Sequence, residues 1–166
     1  MALVFAVQQA WVGAVFLLRR APRSVSWHPL DWVVAYGGWF TGVLVRPGGY
    51  QLPGAGSFGL SLQLAGLALW GWAFANLSRS YGIVPADRGL VTSGPYALVR
   101  HPLYVAYLLG GVGYLVQSLS LRNVLVLTVT VALQAVRITR EERHLDGPDY
   151  ARYRSRVRRR LLPGIW

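Results

Sequence analysis

The chain of 166 residues has no cysteine, no lysine and only six acidic side chains. Without cysteine it has no disulfide framework, no thiolate nucleophile and no thiolate metal site. The three histidines, His28, His101 and His144, form no close ligand spacing, and no zinc signature accompanies them. No Gly-x-Gly-x-x-Gly run follows a strand-like segment and no P-loop occurs, so soluble dinucleotide and triphosphate folds are not supported. Charge of either sign is sparse, with 17 basic and 6 acidic residues against 54% hydrophobic ones and a mean hydropathy of +0.36. That balance is too apolar for an ordinary soluble domain.

What the chain does have is long uncharged tracts. A tract near 20 residues crosses the ~30 Å hydrocarbon core of a bilayer at ~1.5 Å per helical residue. Five tracts can be drawn. Ala2 to Leu18 is followed, not preceded, by Arg19, Arg20 and Arg23, and no small-x-small site comes next, so it reads as a retained anchor instead of a signal peptide. Leu30 to Val45 contains Asp31 and stops at Arg46, and Ser57 to Ser78 holds 22 uncharged residues. Leu103 to Val136, 34 residues with Arg122 as the one formal charge, suits two short crossings joined near Ser118-Leu119-Ser120. The predicted fold is all-α: a polytopic membrane protein of about five transmembrane helices, the last two a short hairpin, with a cytoplasmic C-terminal helix. Residues 1–56 are expected to supply N-terminal spans and 57–166 the core of one integral membrane domain.

All seventeen basic residues are arginine, and all but Arg46 and Arg122 fall in segments 19–29, 79–102 and 137–166. Basic loops stay on the cytoplasmic side, which places the N-terminus outside and the C-terminus inside the cell inner membrane. The run from Arg152 to Arg160 reads as a retention signal drawn to anionic headgroups, worth ~1 kcal/mol per residue near the surface. Membrane lipids are thus expected partners and nucleic acid is not. Gly66, Gly71, Gly110, Gly111 and Gly113 lie within the third and fourth tracts and read as helix-packing positions. Trp27, Trp32 and Trp39 read as interface and helix-contact aromatics. Trp70 and Trp72 are read as packing residues, with the lining of an acceptor tunnel as the alternative.

Two polar segments abut the ends of these tracts. In Leu77 to Tyr104, Pro85, Pro95 and Pro102 forbid a continuous helix, and Pro102 is placed to start the fourth span at its first turn. Free amides beside His101 would suit a carboxylate or phosphate; Arg100 and His101 could equally be anchors at the interface. In Arg137 to Leu145 the spacing puts Arg137, Arg140, Glu141 and His144 on one helical face. Surface ion pairing at ~0.3–0.5 kcal/mol per pair explains that pattern, yet two of the six acidic residues, Glu141 and Glu142, are concentrated there.

The stretch Leu90-Val91-Thr92-Ser93-Gly94-Pro95-Tyr96, then Arg100-His101-Pro102-Leu103-Tyr104, then Arg137, Glu141, Glu142 and Leu145 with Tyr150 and Tyr153, resembles the isoprenylcysteine carboxyl methyltransferase family over roughly residues 76–163. The phospholipid methyltransferases share parts of this architecture. The resemblance implies an integral membrane enzyme that binds S-adenosylmethionine on the cytoplasmic side and a lipophilic or lipid-modified acceptor. It implies cofactor contacts at Leu90, Val91, Tyr96, Arg100, His101, Pro102, Tyr104 and Glu141, and an acceptor carboxylate at Arg137. The family's polar residue upstream of the Leu-Val pair has no clean counterpart here, Tyr81 and Asp87 standing nearest. Gly147-Pro148 is expected to break the terminal helix.

Methyl transfer from a sulfonium needs no metal and no enzyme nucleophile; it demands an in-line approach and exclusion of water. A carboxylate acceptor is already nucleophilic and Arg137 would orient it. A phospholipid amine or a thiol acceptor would need deprotonation, with His101 or Glu142 as base. Outside methyl transfer, an NADPH-dependent membrane reductase of the sterol type and a non-catalytic membrane scaffold remain as alternatives.

Overall fold

A computed structural model describes residues 2–161, with six helices, α1 (Ala2–Leu18), α2 (Pro29–Phe40), α3 (Gly56–Leu77), α4 (Pro102–Gln117), α5 (Leu121–His144) and α6 (Pro148–Arg156). Local chemistry sets their ends. Proline occupies the first turn of α2, α4 and α6, where its missing amide costs nothing. His28 caps α2 by accepting the Leu30 amide on Nδ1 at 3.2 Å, and Ser120 caps α5 by accepting the Asn123 amide at 3.2 Å. The α4–α5 hairpin therefore turns at Ser118–Ser120, and the chain breaks between α5 and α6 at Gly147-Pro148, both as the sequence indicates.

Among the described residues two helices are long and apolar enough to cross a bilayer, Gly56–Ser80 and Leu121–His144; Pro102–Gln117 and the Gln9–Leu18 part of α1 are shorter apolar helices. α5 presents Leu121, Leu125, Val129, Val131 and Val136 outward, an apolar face with no protein against it. A lipid-exposed helix needs such a face, since its backbone is satisfied internally.

The helices form two packed groups. α3 lies along α4, α1 rests on α3, and α2 lies along α5. The core gathers Trp70, Phe74, Tyr81 and Ala106, with Trp11 of α1 edge-on to Trp70 at 5.7 Å and to Phe74 at 5.3 Å. Between α3 and α4 the backbones touch. A methyl group at Gly59 would stand 2.7 Å from the Gly113 carbonyl, one at Gly113 2.6 Å from the Gly59 carbonyl, and one at Gly66 2.8 Å from the Ala106 carbonyl. The small residues expected to serve packing do so at Gly66, Gly111 and Gly113, whereas a methyl group at Gly71 or Gly110 would meet nothing.

The fold is not wholly helical. Two-residue strands β1 (Ser24–Val25) and β2 (Ala86–Asp87) pair antiparallel, flanked by bonds from the Arg20 amide to the Arg79 carbonyl (2.8 Å) and from the Arg23 amide to the Asp87 carbonyl (2.7 Å). The α1–α2 linker is thereby laced to the α3–α4 connector. At the opposite end, Asn123 donates to the carbonyls of Arg46 (2.9 Å) and Ser118 (2.8 Å), and Tyr50 exchanges two backbone bonds with Leu119. The molecule is tied at both ends of the helices.

Candidate active site

Adjacent glutamates on α5 point to different partners, because successive helical residues are turned by about 100°. Glu141 faces α4, where the Tyr104 hydroxyl donates to its Oε2 at 2.9 Å. One turn earlier Arg137 lies with its guanidinium 5.6 Å from the centre of the Tyr104 ring, and Tyr81 and Tyr107 complete its ionisable surroundings. Arg137 Nη2 donates to the carbonyls of Ile83 at 2.7 Å and Gly82 at 3.4 Å. An arginine, an acid one turn on and three phenols thus meet where α4, α5 and the α3–α4 connector converge. Burial pushes the Tyr81 phenol up to about 12, so it stands here as a neutral donor.

Glu142 is buried in a second cluster. Its Oε1 accepts Arg100 Nε at 2.8 Å and lies 3.1 Å from His101 Nε2, while Oε2 accepts Arg160 Nε at 3.1 Å. Arg100 Nη1 also donates to the carbonyls of Val157 (2.8 Å) and Arg158 (2.9 Å), and the amides of Arg100 and His101 donate to the carbonyls of Arg159 and Arg160. The C-terminal segment is docked strand-like under the start of α4. In the run 152–160, read from the sequence as a retention signal drawn to anionic headgroups, the last part is pinned to the protein, and Arg160 is a partner of Glu142. The expectation of Glu142 as a free base changes with it, since both of its oxygens are engaged by cations or by His101. Arg140 and His144 likewise take tertiary partners instead of neighbours on their own face: Arg140 pairs with buried Asp31 of α2, which also accepts Ser26 Oγ, and His144 meets Ser24 Oγ at 3.1 Å.

The remaining sequence-derived residues distribute around these clusters. Pro102 is fully buried at the start of α4. Tyr96 is buried, and its carbonyl accepts the Tyr153 hydroxyl at 2.7 Å, which links the turn before α4 to α6. Burial, with negative Glu141 nearby, pushes the Tyr96 phenol up, and burial raises Tyr153 to about 12. Val91 is half-buried and Leu90 exposed on the run leading to that turn. Among the described residues no three His, Cys, Asp or Glu side chains gather as a metal site.

The model of the isoprenylcysteine carboxyl methyltransferase family matches residues 59–147. The chain belongs to that family. The match runs from α3 to the end of α5 and holds Arg100, His101, Tyr104, Arg137, Glu141 and Glu142, leaving α6 and Arg160 outside. Over 72 residues the chain is 48% identical to the cobalt-zinc-cadmium resistance protein CzcN of Cupriavidus metallidurans, covering 41% of this chain and 33% of that protein. It is 38% identical over 72 residues to the nickel-cobalt-cadmium resistance protein NccN of Alcaligenes xylosoxydans xylosoxydans, covering 42% and 33%. The matched stretch spans a third of the length of these curated relatives. Among solved structures, the eukaryotic intramembrane Ras methyltransferase ICMT superposes with a TM-score of 0.57 at 21% identity, covering 85% of this chain and 55% of that one. That likeness shows the fold, in which α5 turns an apolar face outward.

Proposed function

We propose that the chain is an S-adenosylmethionine-dependent integral membrane methyltransferase for a lipophilic acceptor carrying a carboxylate, working at the cytoplasmic face of the inner membrane. The observation that carries this reading is the Arg137–Glu141–Tyr104 cluster at the junction of α4, α5 and the connector. In this reading α1, α2 with its following turn, and α4 are short crossings beside the two long ones, the N-terminus lies outside, and the arginine-rich ends face the cytoplasm.

The residues present fit the methyl donor. Tyr104 occupies Oε2 of Glu141 and leaves Oε1 open to a cationic or hydroxyl group, and the phenols of Tyr81, Tyr104 and Tyr107 supply aromatic surface beside it. When bound, the donor supplies an activated methyl group on a positively charged sulfur. Glu141 and Tyr104 then hold and orient the polar end of the donor. Arg137, anchored through Nη2 to Ile83 and Gly82, would offer its remaining N–H donors to the acceptor carboxylate. The lipid-facing helices keep water away. A carboxylate oxygen is already a nucleophile, so no proton needs to move. An amine or thiol acceptor would need a base, and His101 and Glu142 are already bonded to one another.

Purified protein incubated with radiolabelled methyl donor and a membrane lipid extract should transfer label into an organic-soluble, base-labile ester. Arg137→Ala should abolish transfer while leaving S-adenosylhomocysteine binding nearly intact, and Glu141→Gln should weaken that binding. Unchanged binding in Glu141→Gln would remove the site assignment, and a base-stable product would move the acceptor to the amine or thiol class. Oxidation of NADPH by the same extract would favour a reductase, and neither activity a scaffold.

A further inference from the structure

Beyond the Arg137–Glu141–Tyr104 cluster, Arg100, Arg154, Arg158 and Arg160 line one open hollow of about 340 Å³. At ~30 Å³ per water this is room for about ten water molecules, enough for a phosphate group and an ester substituent. Arg100 and Arg160 are not loose surface charges: Glu142 and the carbonyls of Val157 and Arg158 fix the former, and Glu142 holds the latter. Arg154 of α6 and Arg158 just beyond it are exposed and complete the wall. Glu142 offsets part of this charge, and the open hollow is walled by guanidinium groups of which two, Arg100 and Arg160, are held in place. Arg154 and Arg158 also border an adjoining hollow whose far wall carries Asp146, which sets the edge of the positive region.

We infer that this hollow is a binding site for a phosphate-bearing anion, on the Glu142 side of α5 and next to the Arg137–Glu141–Tyr104 cluster. Guanidinium groups match phosphate oxygens bidentately, and a concave group of like charges focuses an attractive field on one anion more than the same charges spread over a convex surface. The α5 side chain beneath the hollow is Glu142, whereas Glu141 and Arg137 face α4; the two sites lie on different faces of one helix. Because the cavity opens beside the C-terminal segment, the phosphate can belong to a lipid headgroup or to a soluble ion, and the chemistry of recognition is the same.

Full-length protein in neutral detergent, titrated with inorganic phosphate and followed by phosphorus NMR line width, and protein in phosphatidylcholine nanodiscs with or without phosphatidylglycerol, test this without any methyl donor. One variant, Arg154→Gln with Arg158→Gln, removes two walls of the hollow and leaves the Glu142 partners in place. A control, Arg152→Gln with Arg156→Gln, removes the same charge from α6 outside it. Saturable binding of either probe that weakens about tenfold or more in the first variant alone supports the site; each tenfold is the scale of one charge-assisted contact. A response to inorganic phosphate identifies a soluble ion, and a response only to phosphatidylglycerol identifies a lipid headgroup. Equal loss in both variants, or no saturable binding of either probe, overturns it.

Discussion

Tyr104 on α4 donates its hydroxyl to Glu141 on α5 at 2.9 Å, bridging two helices whose only covalent link is the turn at Ser118–Ser120 at their other end. The bond fixes which carboxylate oxygen remains available and at what angle it looks toward Arg137. Tyr104→Phe keeps the ring and removes the donor. Affinity for S-adenosylhomocysteine, measured by calorimetry, is expected to fall by about three- to tenfold, in keeping with a net ~0.5–1.5 kcal/mol for one hydrogen bond. Folding stability should fall by the same order, about 0.5–1.5 kcal/mol, since the bond also joins the two helices in the unliganded protein.

Glu142→Gln should behave differently. Arg100 and Glu142 are both buried, and removing the carboxylate charge leaves Arg100 without that counter-ion and weakens the hold on Arg160. Breaking a buried pair on one side costs ~3–5 kcal/mol. The expected outcome is a large drop in the thermal midpoint in detergent, together with faster proteolysis after residue 156 as the docked segment loosens. An unchanged midpoint with abolished methyl transfer would return Glu142 to the role of base.

The glycines of α3 separate packing from propensity. Gly66→Ala places a methyl group 2.8 Å from the Ala106 carbonyl and should destabilise by ~1–3 kcal/mol through overpacking. At Gly71 nothing lies within 4 Å, so Gly71→Ala should be neutral or mildly stabilising, within ~1 kcal/mol, by helix propensity. Paired melting curves of the two variants check this contrast.

Alkaline pH gives a fourth test. The phenols of Tyr81 and Tyr153 rise from an ordinary 10.0 to about 12 because burial disfavours the phenolate. A folded-state pKa above the unfolded one means that the contribution is complete below pH 10 and is lost as pH climbs through about 12. The thermal midpoint is expected to fall across that window. Phenolate absorbance should show the two groups titrating late, and Tyr153→Phe should remove part of the slope.

Much of this arrangement was legible in the sequence wherever a local signal existed. Pro102 marks the start of α4, Ser118–Ser120 the hairpin turn, and Gly147-Pro148 the break before α6, because proline, glycine and capping side chains act within a few residues. The grouping of Arg137 with Glu141 follows from helical spacing alone. Glu141 and Glu142 are chemically identical and differ only in the direction each faces, which depends on where α4 and residues 157–160 pack. Arg160 gave no signal inside a run of arginines, since its role arises from backbone pairing with residues about 60 positions earlier. Asp31 looked like an awkward charge in an apolar tract until Arg140 came to meet it from 109 residues away. The short β1–β2 pair has too few residues to leave any periodicity.

The glycine contacts between α3 and α4 also have a mechanical meaning. Two backbones in direct contact along Gly59, Gly66, Ala106 and Gly113 leave no slack for one helix to slide or tilt on the other, so this pair behaves as a stiff post. α4 and α5 meet through side chains instead: Leu127 packs onto Gly111 in mid-helix, and Tyr104 bonds Glu141 at the end away from the turn. α5 carries α2 with it through Asp31–Arg140, so the α2–α5 pair meets this post through side chains and through the turn at Ser118–Ser120.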